Sequence, residues 1–202
     1  MVKQKRNILI LCEGQEEWFY VKKLLSFPVF NNELYNFAEP INVKGIGNIP
    51  PRFQIEYNRG RYDLILIFCD GDNNSSQFQE IKNQISLNIF GCENLADKFF
   101  IFVNPVTLQV VLLHYANVTL THKSKKDNAI IVEKVTSIKQ YNAREDQITE
   151  MINGIHFRSY TIMKNRLKLI STSVEDIPST NMLYFLDKFE SNDDSWIDEI
   201  MC

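Results

Sequence analysis

The sequence lacks most of the features that would sort it at once into a functional class. It has four cysteines, Cys12, Cys69, Cys92 and Cys202, and no CxxC pair among them. Two of them lie inside apolar runs, so the set reads as reduced core thiols and not as a disulfide framework. No segment approaches the roughly 20 apolar residues of a membrane-spanning helix. The apolar run behind the basic opening stops at Glu13, too soon for a signal-peptide core, and a cytoplasmic protein is expected. Charge of one sign is not in excess: 22 Lys and Arg face 25 Asp and Glu, a net charge of -3. There is thus no global basic field, and nucleic-acid binding would have to come from a local patch sensitive to salt. The loop Gly45-Ile46-Gly47-Asn48 lacks both the Walker lysine pattern and the full dinucleotide fingerprint. No internal repeat or low-complexity tract is present.

What the chain does have is apolar content, 45% of 202 residues, enough to bury one full core. Asn7–Cys12 and Asp63–Cys69 are short, almost continuously apolar runs, as expected of strands buried on both faces. A third strand is expected over Lys98–Val103, and a short one over Ile41–Val43. Between the first two, EEWFYVKKLLSF places Trp18, Val21, Leu24 and Leu25 at helical spacing, with Glu16 and Glu17 favouring the helix start. SSQFQEIKNQISLNIF repeats apolar residues at Phe78, Ile81, Ile85 and Ile89, with Ser75 or Ser76 as a cap. TLQVVLLHYA fits a buried helix or a strand. Helical character is expected from about Ala143 to Leu169 and after Pro178-Ser179-Thr180-Asn181, while the acidic end SNDDSWIDEIMC reads as a frayed helix or docking tail. The alternation points to an α/β fold with a mostly parallel sheet flanked by helices, whose ligand sites lie beyond the strands' carboxyl ends.

Three carboxylates sit at such ends. Glu13 follows the first buried strand, and Asp70 and Asp72 follow the second across Gly71, which lets the backbone turn tightly. Carboxylates converging there would repel one another unless a cation lay between them. Hard oxygen ligands suit Mg²⁺ or Mn²⁺, with water and phosphate oxygens completing the shell. The bland alternative stays open, because DGDNN is also good turn sequence.

ILILCEGQEEWFY resembles the opening of the RloB-like group of TOPRIM domains, and DLILIFCDGD that family's strand ending in Asp-x-Asp. NPVTLQVVLLH resembles its Asn-Pro block, and PSTNMLYFLDKF its Pro-Ser-Thr block. The resemblance implies a TOPRIM-like, Rossmann-like catalytic core over residues 1–120, with a mainly helical C-terminal extension over 121–202. It also implies Mg²⁺-dependent phosphodiester hydrolysis on DNA or RNA in a phage-defence setting, beside an ABC-type ATPase. By position, Glu13, Asp70 and Asp72 would be catalytic, and these three with Glu17 would bind metal. Leu108, with Gln109 beside it, stands where the family carries a Glu, which favours the alternative of a catalytically weak binding or regulatory subunit of an ATPase complex. Asp-x-Asp also serves nucleotide-sugar transferases, but that leaves Glu13-Gly14 unexplained.

The candidate contacts to a phosphate backbone are Lys123, Lys125 and Lys126, in the run His122–Lys126, together with Arg144. Arg158, Lys164, Arg166 and Lys168 add charge further on, with Tyr160 as a stacking surface; for both groups the competing reading is an ordinary solvated face. His114 is a candidate phosphate-acting group or a structural residue. Candidate partners are nucleic acid, the ATPase and a second copy of the chain; a membrane is not among them.

Overall fold

The computed structural model describes residues 4–30, 33–72, 75–92, 95–121 and 124–201. It is an α/β protein with a mixed, mostly parallel sheet flanked by helices. The strands are β1 (Arg6–Cys12), β2 (Tyr35–Phe37), β3 (Ile41–Asn42), β4 (Leu64–Asp70), β5 (Phe100–Asn104) and β6 (Ser179–Thr180). The helices are α1 (Gln15–Leu25), α2 (Ile49–Arg59), α3 (Ser76–Ile85), α4 (Leu108–Leu112), α5 (Lys125–Val135), α6 (Glu145–Asn153), α7 (Phe157–Leu167), α8 (Met182–Glu190) and α9 (Ser195–Met201). No helix among the described residues is long and apolar enough to cross a membrane. Two compact units form, neither continuous in sequence: Met1–Cys69, Ser75–Ile101 and Tyr184–Cys202 make the first, Asp70–Asn74 and Phe102–Leu183 the second.

In the first unit Ile8–Cys12 and Leu64–Cys69 are buried at every position, as two apolar runs covered on both faces must be. β1 pairs in parallel with β4 from Ile8 opposite Leu64 to Cys12 opposite Phe68. Along its other edge β1 pairs in parallel with β2 through Arg6–Ile8, and then with β3 through Leu11 and Cys12. Pro40, which has no N–H to give a ladder, lies between those two short strands. The buried side of α1 is Glu17, Tyr20, Val21 and Leu24, one position round from the apolar stripe expected of the sequence. Trp18 is only half-buried; its indole N–H donates to the Pro40 carbonyl at 2.9 Å and its ring lies 4.3 Å from the Lys22 ammonium.

Ser75 caps α3 as expected, its hydroxyl accepting from the Phe78 amide at 3.2 Å. The expected strand over Lys98–Val103 is shifted: Leu95–Phe99 is a 3-10 turn and β5 begins at Phe100. Of the two readings of the acidic end, the structure excludes the frayed helix and agrees with a docked segment. In α9, Trp196, Ile197 and Ile200 are buried, and the Trp196 indole N–H donates to Tyr35 Oη at 2.8 Å. The Trp196 ring meets Phe189 edge-on at 5.5 Å. Arg6 at the start of β1 reaches this segment, with Nε 3.2 Å from Asp194 and a terminal nitrogen 2.6 Å from Asp198.

In the second unit Val103 and Asn104 pair antiparallel with Thr180 and Ser179 of β6. Pro178-Ser179-Thr180-Asn181 therefore leads with a strand, and α8 starts only at Met182. TLQVVLLHYA resolves into the short helix α4. The stretch expected to be helical from Ala143 to Leu169 is two helices, broken at Gly154–His156. A Cβ at Gly154 would collide with Tyr115 Oη, whose hydroxyl donates to the Met151 carbonyl at the end of α6.

Candidate metal site

The acidic residues fall into two groups, one in each unit. In the first, Glu13 is half-buried at the end of β1. Its amide donates to the Phe68 carbonyl at 3.0 Å and its own carbonyl accepts from the Gly45 amide at 2.7 Å. These bonds hold the Glu13 backbone at the carboxyl end of the β1–β4 ladder. Glu17, one turn into α1, is 5% exposed, and its Oε2 would be 3.0 Å from a Cβ at Gly14. Glycine at 14 thus makes room for the carboxylate to fold back over the helix start. Burial pushes the Cys12 thiol well above its usual range, and the Glu17 charge pushes it further. Cys12 is consequently an inert buried thiol.

The second group is the turn Asp70-Gly71-Asp72. Asp70 Oδ1 accepts two hydrogen bonds from one residue, Thr107: from its backbone N–H at 2.6 Å and its hydroxyl at 2.9 Å. The Gly71 amide donates to the Val103 carbonyl at 2.8 Å. A Cβ at Gly71 would lie 2.7 Å from Asn104 Cγ and 3.2 Å from Nδ2; the glycine is required by the fully buried Asn104 side chain. Asn104 Nδ2 in turn donates to the Val174 carbonyl at 2.6 Å and to Ser179 Oγ at 3.3 Å. Asp72 has a φ of 49°, left-handed backbone that Asp tolerates better than most residues. The turn is thereby held by hydrogen bonds at Asp70 and Gly71 and turns left-handed at Asp72.

Asn104 and Thr107 are the residues that sequence reasoning left without a role. The signal was present as Asn-Pro-Val-Thr directly after a strand, but the contact partner is 37 residues away in the chain. At the position of the missing acid, Leu108 is buried. Gln109 is fully buried and spent on structure, donating to the Val118 carbonyl at 2.9 Å and accepting from the Leu120 amide at 2.5 Å.

Among the described residues no group of three or more His, Cys, Asp or Glu side chains is arranged to hold a metal ion. A Mg²⁺ site does not need one. Mg²⁺ keeps several waters and is commonly bound through one or two carboxylates plus substrate phosphate. Asp70 and Asp72, two hard-oxygen donors on one braced turn, fit that pattern.

His114 is buried, and its Nδ1 lies 3.1 Å from Ser159 Oγ. Ser159 Oγ also lies 2.7 Å from the His156 carbonyl, to which its hydroxyl can donate. Burial first, and the nearby Arg166 charge second, lower the His114 pKa to about 3. The ring is a neutral structural group at physiological pH. Tyr160 is buried, with its ring stacked on Phe157 at 6.1 Å, so it offers no open face to a base. Arg166 turns inward and donates to the Leu113 carbonyl at 2.5 Å. Arg144 is exposed and grips Asp146 through two 3.1 Å bonds. Lys126 is exposed, Lys125 opens α5, and Lys123 lies outside the described residues. Comparison with protein-family models, with curated proteins and with solved structures found no match.

Proposed function

We propose that this chain is a Mg²⁺-dependent nuclease of the RloB-like TOPRIM kind, hydrolysing phosphodiesters of DNA or RNA in a phage-defence system. The observation that carries the proposal is the Asp70-Gly71-Asp72 turn at the carboxyl end of β4, with Asp70 clamped by Thr107. Asp70 and Asp72 would hold Mg²⁺ or Mn²⁺. Bound there, the ion would stabilise charge on the phosphate and lower the pKa of a water. By the resemblance alone, Glu13 is the candidate for proton transfer and Glu17 a further candidate ligand. Lys123, Lys125, Lys126 and Arg144 are the proposed contacts to the nucleic-acid backbone.

A second reading is favoured by one observation. Leu108 and Gln109 supply no acid where the resemblance calls for one, and the Gln109 amide is committed to Val118 and Leu120. That suits a catalytically weak TOPRIM-like subunit that binds or regulates within an ABC-type ATPase complex. Incubating the purified protein with single- and double-stranded DNA and RNA, in Mg²⁺, Mn²⁺ or chelator, separates the two. Cleavage only with metal, abolished by replacing both Asp70 and Asp72 with Ala, is the expected result. Unchanged cleavage by that double variant would overturn the assignment, and binding without cleavage would favour the second reading.

A further inference from the structure

The clamp on Asp70 has a chemical consequence beyond holding the side chain still. A carboxylate oxygen has two lone pairs to offer, and Asp70 Oδ1 meets two donors, the Thr107 amide at 2.6 Å and the Thr107 hydroxyl at 2.9 Å. Both come from one fully buried, β-branched residue, whose side chain has little rotamer freedom. Three residues before Thr107, Asn104 closes β5 and packs against Gly71, while the Val103 carbonyl takes the Gly71 amide. The turn that carries the acceptor, Asp70, is thus tied through Gly71 to the strand end that leads into the donor, Thr107.

Resting on the metal assignment to Asp70, we infer that Thr107 is a positioning residue that makes Asp70 a one-oxygen ligand, through Oδ2, and so selects a small octahedral dication over Ca²⁺. Mg²⁺ and Mn²⁺ accept single carboxylate oxygens in near-ideal octahedra, whereas Ca²⁺ takes six to eight oxygens and often both oxygens of one carboxylate. For Asp70 to bind through both oxygens, Oδ1 would have to give up at least one of its two donors. The clamp opposes that.

The test is a Mn²⁺ titration of the full chain, read by the electron paramagnetic resonance of free Mn²⁺, with Ca²⁺ as competitor. Wild type, Thr107→Val, Thr107→Ser and Asp70→Asn are compared, with thermal unfolding of each as a control. Thr107→Val keeps the shape and the backbone donor but loses the hydroxyl. It should weaken Mn²⁺ binding about 10-fold, the low end for an outer-shell partner, and weaken Ca²⁺ binding less, narrowing the Mn²⁺/Ca²⁺ preference. Thr107→Ser should restore both. A Thr107→Val variant with wild-type affinity and preference, alongside Asp70→Asn that loses binding, overturns the inference and leaves the metal assignment standing. An equal loss for both ions without rescue by Ser also overturns it, since a purely structural role would act that way. No saturable binding by wild type, or full binding by Asp70→Asn, overturns the metal assignment and the inference with it. Should Thr107→Val fail to unfold cooperatively, Thr107→Ala against Thr107→Ser makes the same comparison.

Discussion

Replacing Gly71 with Ala tests the bracing of the acidic turn through stability alone. The added methyl would stand 2.7 Å from Asn104 Cγ and nearer still to its Oδ1. Asn104 is fully buried and anchored to the Val174 carbonyl at 2.6 Å and to Ser179 at 3.3 Å, so it cannot swing aside cheaply. Overpacking a buried site typically costs about 1–3 kcal/mol, and stripping a buried amide of its partners about 1–3 kcal/mol more. A destabilisation of about 2–4 kcal/mol is expected for Gly71→Ala, measured by urea unfolding followed by far-ultraviolet circular dichroism. Asn104→Ala alone should cost about 1–3 kcal/mol through the orphaned Val174 carbonyl. In the double variant the methyl has room, so the two costs should fall short of additivity by at least about 1 kcal/mol, as for residues in contact. A Gly71→Ala change below about 0.5 kcal/mol, or strict additivity, would refute the steric account.

Two further outcomes concern the packing around the site. His114 is held near a pKa of 3 in the folded chain against about 6.5 when unfolded. Below pH 6.5 the unfolded chain binds a proton that the folded chain refuses, so this stabilising contribution is complete above pH 6.5 and is lost as pH falls toward 3. Between pH 7 and pH 5 wild type should lose about 2 kcal/mol more than His114→Gln; equal pH slopes in urea unfolding would contradict this. Trp196→Ala should destabilise the chain by about 3–5 kcal/mol, as for other buried large-to-small changes, because Trp196 is 1% exposed against Phe189 and Tyr35. Thermal unfolding checks it, and a near-neutral result would show that α9 does not pack on the sheet edge.

The strands that carry the site were legible because β1 and β4 are apolar at consecutive positions, a pattern that only two-sided burial explains. β5 was displaced because Phe99 extends the apolar run Phe100–Val103 without any change of period to mark the 3-10 turn. The break between α6 and α7 depends on Tyr115 closing over Gly154, a contact about 40 residues apart that no local pattern encodes. The same limit applies at the site. Asp70-Gly71-Asp72 was legible as a turn with two carboxylates. That Gly71 answers to Asn104 and Asp70 to Thr107 is tertiary information, as is the neutral, buried state of His114. The aromatic Tyr160 was misjudged because helical spacing does not say which face of α7 is covered.

Mn²⁺ titration of wild type against the variant with both Asp70 and Asp72 replaced by Ala tests most directly the proposed binding of a divalent cation by these two carboxylates. One saturable site in wild type, lost in the double variant while cooperative unfolding is retained, is the predicted result. Equal Mn²⁺ binding by the two proteins would contradict it.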